Sequence, residues 1–291
     1  MRLRSVLCVG LAALGTSCGK PSDQRQYSLH GQVLSLTANH QQATIKHDEI
    51  KGFMGAMSMP YNVHDPKEFE GLAPGDLIDA TLIVLSNDAY LTGVTRVGQA
   101  PLAKPPADTE APAASSGFEL LKPGEPVPDA TFRDQDDKKR TFQSFQGSTV
   151  VITFIYTRCP FPTFCPLMDR HFATIQDKLK EDPALKTRVH LVSVSFDPLT
   201  DTPPVLKQHA QTLGADTKVW TFLTGDRDDV DRFGSRFGVG VSRALNDQRD
   251  ITHNLRTAIV DQTGKLVKVY IGNEWTPDQV LADLKPVVGA D

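Results

Sequence analysis

The chain has 291 residues, a formal net charge of −4 and an apolar fraction of 40%. That size accommodates one or two globular domains with buried cores. The slightly acidic balance, with no basic block and no aromatic-plus-basic stripe, argues against a nucleic-acid surface.

Residues 1–18 read as a secretory signal. Arg2 and Arg4 make a charged start, Val6 to Leu14 form a short apolar run, and Gly15-Thr16-Ser17 precede Cys18. The run is too short to favour a spanning helix. A small-residue cut site directly before a cysteine resembles a bacterial lipoprotein signal. That resemblance implies lipidation of Cys18 and an anchored position on the periplasmic side of a bacterial membrane. Gly15 departs from the pattern, which has leucine three residues before the cysteine. Plain cleavage with Cys18 unmodified is the alternative. Cleavage removes Cys8 and leaves Cys159 and Cys165 as a pair in an oxidising compartment, where the pair must be kept reduced to bind metal.

Residues 19–26 are polar and read as a tether. Residues 27–99 form the first domain. Alternating runs at Tyr27–Leu36, Ala43–His47, Gly75–Leu85 and Ala89–Val94, with a hairpin signal at Asn87-Asp88, predict a small closed β-barrel. Three of the five methionines, Met54, Met57 and Met59, follow His47 closely. Met57 and Met59 share one face of an extended strand. Thioethers select Cu(I) or Ag(I), and imidazole also suits copper. Methionines that merely fill a core are the plainer reading. Three within six residues, beside a histidine, favour a metal site.

This segment resembles the CusF-like periplasmic copper-binding proteins, small OB-like five-stranded barrels. The resemblance is carried by His47 and by Met57-Ser58-Met59-Pro60-Tyr61. It implies that His47, Met57 and Met59 bind Cu(I). Where that family places a tryptophan over the metal, this chain has Phe53-Met54. Met54 is therefore a further candidate ligand and Phe53 a candidate lid.

Residues 100–117 are rich in proline and alanine and read as a semi-extended linker. A shared tether raises the effective concentration of each domain at the other.

Residues 118–291 alternate strand and helix patterns. Strands are expected at Asp129–Phe132, Arg140–Phe142, Val150–Ile155, Val189–Phe196 and Val219–Leu223. Helices are expected at Leu167–Leu179, Leu206–Leu213 and Asp226–Phe237, then a hairpin of Leu255–Val260 with Leu266–Ile271 and a closing helix over Pro277–Val287. This order predicts a thioredoxin-like α/β domain. Cys159 and Cys165 fall where the buried run to Ile155 turns into a helix. That position, with Arg158 adjacent, is expected to lower thiol pKa values. Such a pair can form a reversible Cys159–Cys165 disulfide or bind a soft metal; a purely structural disulfide is the plainer reading.

The second domain resembles the Sco/SenC family, thioredoxin-fold proteins that handle copper for cytochrome c oxidase assembly. The carriers are Phe154–Pro160, Cys165-Pro166, Ser195–Pro198 with Asp201-Thr202-Pro203, and His253. The resemblance implies copper binding by Cys159, Cys165 and His253. It also implies a recipient cuproprotein, with a cytochrome c oxidase subunit the expected one, and a thiol-reducing partner. The family has three residues between its cysteines; here there are five, Pro160 to Phe164. Asp197 is read as a turn residue or as a group that orients ligands. His171 is read as a surface or packing residue. His190 and His209 give no signal.

Two functions follow from these residues. One is an exported copper chaperone with a site in each domain, carrying Cu(I) and, at Cys159/Cys165/His253, also able to take Cu(II). The other is a thiol–disulfide oxidoreductase in which Cys159 attacks and Cys165 resolves. A peroxidase of related fold is disfavoured, because no threonine stands three residues before Cys159.

Overall fold

The computed structural model describes residues 24–102, 119–243 and 251–289. The signal segment, Cys18 and most of the linker lie outside the described residues. Among the described residues, no helix is long and apolar enough to cross a membrane.

The first domain is a closed ring of five strands: β1 (Arg25–Leu36), β2 (Gln42–His47), β3 (Met57–Val63), β4 (Asp76–Val84) and β5 (Ala89–Gln99), in the order β1-β2-β3-β5-β4. Closure comes from parallel pairing of β3 with β5 at Asn62–Tyr90 and Val63–Leu91. The alternation seen in the sequence is the inward–outward alternation of the small barrel. In β2, Ala43, Ile45 and His47 are buried; in β3, Met59, Tyr61 and Val63 are. Gly31 faces His47 in the β1–β2 ladder. A Cβ there would lie 2.7 Å from the Lys46 carbonyl, so only glycine allows the two strands to approach so closely beside His47. β1 begins at Arg25, two residues inside the expected tether, because Arg25 and Gln26 pair with Val84 and Ile83. Backbone pairing of polar residues leaves no hydropathy signal.

The second domain runs β6 (Thr131–Asp134), β7 (Lys139–Thr141), β8 (Thr149–Ile155), α1 (Cys165–Glu181), α2 (Pro183–Lys186), β9 (Val189–Ser195), α3 (Pro203–Thr212) and β10 (Trp220–Thr224). It continues with α4 (Arg227–Arg236), β11 (Val241–Arg243), β12 (Ile251–His253), β13 (Arg256–Val260), β14 (Leu266–Ile271) and α5 (Pro277–Gly289). Seven strands form one sheet, β14-β13-β8-β9-β10-β6-β7. β8, β9 and β10 are parallel, and β13 runs antiparallel to β8. Every residue of β8 is buried, as expected of a central strand covered on both faces. β11 and β12 pair outside the main sheet, and this short ribbon was not expected from sequence. Three-residue strands carry too little periodicity to be read.

The fold positions the cysteines through the end of β8. The chain leaves the sheet at Ile155, turns through Cys159, and enters α1 at Cys165, with Pro166 in the first turn. β12 brings His253 to the same edge.

Candidate metal centre

Sγ of Cys159, Sγ of Cys165 and a ring nitrogen of His253 lie within 4.8 Å of one another. Both cysteines are free thiols in this structure, the reduced form of the pair and the one that can bind a soft metal. Nε2 of His253 is 3.9 Å from Sγ of Cys165, while its Nδ1 is 3.0 Å from the Asn254 carbonyl. A proton on Nδ1 satisfies that carbonyl and leaves the Nε2 lone pair turned toward the sulfurs. Tyr156 packs edge-on against the His253 ring at 5.4 Å, and Phe196 lies 4.5 Å away on another side.

The two thiols are not equivalent. The Cys165 side chain is within hydrogen-bonding reach of Cys159 and holds the Cys159 thiol well below its usual pKa, with His253 adding to the effect against the opposing cost of burial. Cys165 is fully buried; desolvation and the neighbouring sulfur push its thiol well above the usual value. The expectation that the helix N-terminus and Arg158 would lower both pKa values therefore needs correction for Cys165. It stands at the first residue of α1, but burial outweighs the helix field there. Arg158, for its part, is committed elsewhere: its Nε is 2.7 Å from Oδ2 of buried Asp197. Asp197 forms the turn, its carbonyl accepting the Thr200 and Asp201 amides, and its carboxylate also holds the residue next to Cys159.

Asp201, which is completely buried, braces the same loop. It accepts the Thr157 amide at 3.0 Å, the Thr157 hydroxyl at 2.5 Å and the Ser195 hydroxyl at 2.6 Å. The Ser195 oxygen in turn accepts the Asp197 amide at 3.1 Å. One polar network thereby ties the end of β9 to the two residues that precede Cys159.

The barrel presents the second constellation. His47 and Met57 are direct partners in the β2–β3 ladder, and Met59 follows on the same face. His47 is buried, and burial pushes its imidazole pKa down, which keeps the ring neutral. Its Nδ1 lies 2.6 Å from the Asp48 carbonyl, and its Nε2 is buried with no hydrogen-bond partner. A buried, unpartnered imidazole nitrogen beside two thioethers fits a soft monovalent ion. Met54 sits 4.0 Å from the Tyr61 hydroxyl, at the rim of this group. Phe53 stacks on Tyr27 at 4.5 Å.

Both constellations open on one cavity of about 790 Å³, whose walls include Met54, Met57 and Met59 from the barrel and Cys159, Phe161 and His253 from the second domain. Phe161 carries much of this junction. It comes from the loop between the cysteines, yet packs in the barrel's apolar cluster. Its ring lies 5.9 Å from Tyr61 and 6.3 Å from Phe53. The sequence reading missed Phe161. The signal was available: Phe161 and Phe164 are two aromatic side chains among the five residues between the thiols, and such groups need cover.

Of the remaining histidines, His171 packs against Trp275, His190 binds the Thr221 hydroxyl and His209 binds Asp169. All three have structural partners away from the cavity.

The family described as SCO1/SenC matches residues 124–289, more than half of the chain. The chain belongs to the SCO1/SenC family. Residues 26–96 match the family described as copper binding periplasmic protein CusF. The second domain is similar to the SCO1 protein homolog of Bacillus subtilis (strain 168), at 31% identity over 157 residues, 53% of this chain and 79% of the relative. It is also similar to a SCO2-like protein of Rickettsia felis, at 26% identity over 161 residues, 52% of this chain and 72% of the relative. Among solved structures it is similar to a SCO1/SenC family lipoprotein from Bacillus anthracis str. Ames, with 31% identity and a TM-score of 0.51, covering 58% of this chain and 99% of that one. As a SCO1/SenC member the chain joins the thioredoxin-like fold to a cysteine–cysteine–histidine cluster suited to copper or to thiol exchange.

Proposed function

We propose that this SCO1/SenC member is an exported, lipid-anchored copper chaperone that binds copper in both domains and delivers it to a cuproprotein. The convergence of Cys159, Cys165 and His253 within 4.8 Å carries the reading. Two sulfurs and one imidazole nitrogen satisfy Cu(I) and also accommodate Cu(II). His47, Met57 and Met59 supply a second, thioether-rich site, with Met54 within reach, and the CusF description of the matching family supports copper there. Copper is cargo, so no catalysis is required. The recipient is a periplasmic cuproprotein, and a cytochrome c oxidase subunit is the favoured case. A thiol-reducing partner keeps Cys159 and Cys165 open to metal. Attachment through Cys18 places the chain on the periplasmic side of the membrane.

The unequal thiols support a second reading, a thiol–disulfide oxidoreductase. A low-pKa, partly exposed Cys159 suits attack, and a buried Cys165 suits resolution. The oxidised form then carries the Cys159–Cys165 disulfide.

A Cu(I) competition titration of the reduced chain, repeated on Cys159→Ser/Cys165→Ser, tests the proposal. Two equivalents falling to one are expected. One equivalent unaffected by the cysteine changes would confine copper to the barrel and leave the reductase reading for the second domain. His253→Ala separates the two further: it weakens a three-ligand copper site but leaves dithiol exchange able to proceed.

A further inference from the structure

The loop Pro160–Phe164 is too apolar for a free surface turn. Phe161 is 4% exposed, and it packs within the barrel's apolar cluster as well as against Phe164 of its own loop. Its ring meets Tyr61 edge-on and tilts against Phe53, while Tyr61 meets the His47 ring edge-on at 5.6 Å. Phe164 backs Phe161 at 5.3 Å from the loop's other end. Cys159 and Phe164 also pack partly against the barrel's cluster. The residue that seats the loop therefore lies between the two thiols in sequence and against the barrel's ligand face in space. The cavity it lines has Met57, Met59, Cys159 and His253 in its walls as well.

We propose that Phe161 is a docking residue that holds the two sites face to face, so that Cu(I) passes between them by direct ligand exchange inside the shared cavity. The inference rests on the two-site reading above. It adds a route and a gate: copper moves without entering bulk solvent, and the cysteine loop accepts it only while Phe161 is seated.

The exchange balances without redox chemistry. Cu(I) begins on the His47 nitrogen and the Met57 and Met59 sulfurs, all neutral donors. The Cys159 thiolate forms a copper–sulfur bond as one thioether bond breaks. Cys165 then binds and releases its proton to water, the second thioether and His47 leave, and the His253 nitrogen completes the new site. Copper stays Cu(I) throughout. Anionic thiolates bind it more strongly than thioethers, so net flow runs from barrel to cysteines.

The test uses the full chain with reduced thiols, comparing wild type with Phe161→Ala and Phe161→Glu. Small-angle scattering of the metal-free proteins reads docking alone. Wild type is expected to scatter as one joined particle and Phe161→Glu with a larger radius of gyration; an already separated wild type, or no change in the variant, overturns the docking. One equivalent of Cu(I) is then supplied in the presence of a water-soluble Cu(I) chelator, and thiolate-to-copper absorption is followed in time. In wild type the absorption should grow at a rate independent of protein concentration, with little copper captured by chelator. In Phe161→Ala the rate should fall at least about ten-fold and chelator capture should rise, while the two-equivalent stoichiometry stays intact. Transfer at the wild-type rate in Phe161→Ala, with both sites still binding, overturns the proposal and leaves the two-site function standing. Loss of one equivalent already in wild type would instead defeat the two-site reading. Circular dichroism and equal stoichiometry in the variants exclude misfolding as the cause of slow transfer.

Discussion

Removing the Asp201 carboxylate should loosen the cysteine loop and destabilise the second domain together. Asp201 is fully buried and accepts three hydrogen bonds, from the Thr157 amide, the Thr157 hydroxyl and the Ser195 hydroxyl. In Asp201→Ala all three donors lose their acceptor, the Ser195 hydroxyl in a buried site and the Thr157 amide and hydroxyl in a partly buried one. Each buried, unsatisfied donor costs about 1–3 kcal/mol. Some relief comes from hydroxyl rotation, so the expected loss is about 3–6 kcal/mol. For a domain of this size each kcal/mol lowers Tm by about 2–4 °C, which gives a fall of about 6–24 °C. Ser195→Ala removes one donor to Asp201 and also the acceptor of the buried Asp197 amide, so it should cost about 1–3 kcal/mol, less than Asp201→Ala. Urea unfolding of the reduced, metal-free chain reads this cleanly, because both tryptophans, Trp220 and Trp275, lie in the second domain. The alkylation kinetics of Cys159 supply the functional readout, since Thr157 stands two residues before it. If Asp201→Ala costs no more than Ser195→Ala and leaves Cys159 kinetics unchanged, the brace assigned to this network does not exist.

Further outcomes follow from the two sites and from burial. In the reduced protein, iodoacetamide should modify Cys159 well before Cys165, read by peptide mass spectrometry, because Cys159 is partly exposed and its thiol pKa lowered, whereas Cys165 is buried and raised. Equal rates would contradict the asymmetry. Met57→Ile with Met59→Ile should abolish the barrel's equivalent of Cu(I) in competition titration while leaving thermal stability within about 1.5 kcal/mol, since the swaps keep the volume of the core; unchanged affinity would show the methionines to be packing alone. Burial of His190 depresses its pKa from 6.5 to about 4. Between those values the unfolded chain takes up a proton that the native domain refuses, so this contribution is whole above pH 6.5 and is lost as pH falls toward 4, by about 3 kcal/mol. His190→Gln should flatten that part of the stability–pH curve measured by urea unfolding, and an unaltered slope would show that other groups set it.

Local pattern alone determined a large part of this protein. Strand alternation in Ala43–His47 already gave the barrel part of its inward face, and the two-residue spacing of Met57 and Met59 already set both thioethers on one face of an extended chain, because side chains on a strand repeat every two residues. The apolar run to Ile155, followed by Cys159, Cys165 and Pro166, announced a buried strand that feeds thiols into a helix start, since a fully buried strand and a first-turn proline are both local signals. Residue type named His47, Met57 and Met59 as soft-metal donors for the same reason. Only the tertiary structure decided that the ladder sets His47 beside Met57 and that a two-stranded ribbon carries His253 to the cysteines, contacts made across ten and about ninety residues of chain. It also decided how the two thiols diverge, because desolvation depends on what packs over a sulfur and not on its neighbours in sequence. The seating of Phe161 in the barrel is of the same kind: an aromatic residue in a turn shows that cover is needed, and only the assembled domains show what supplies it.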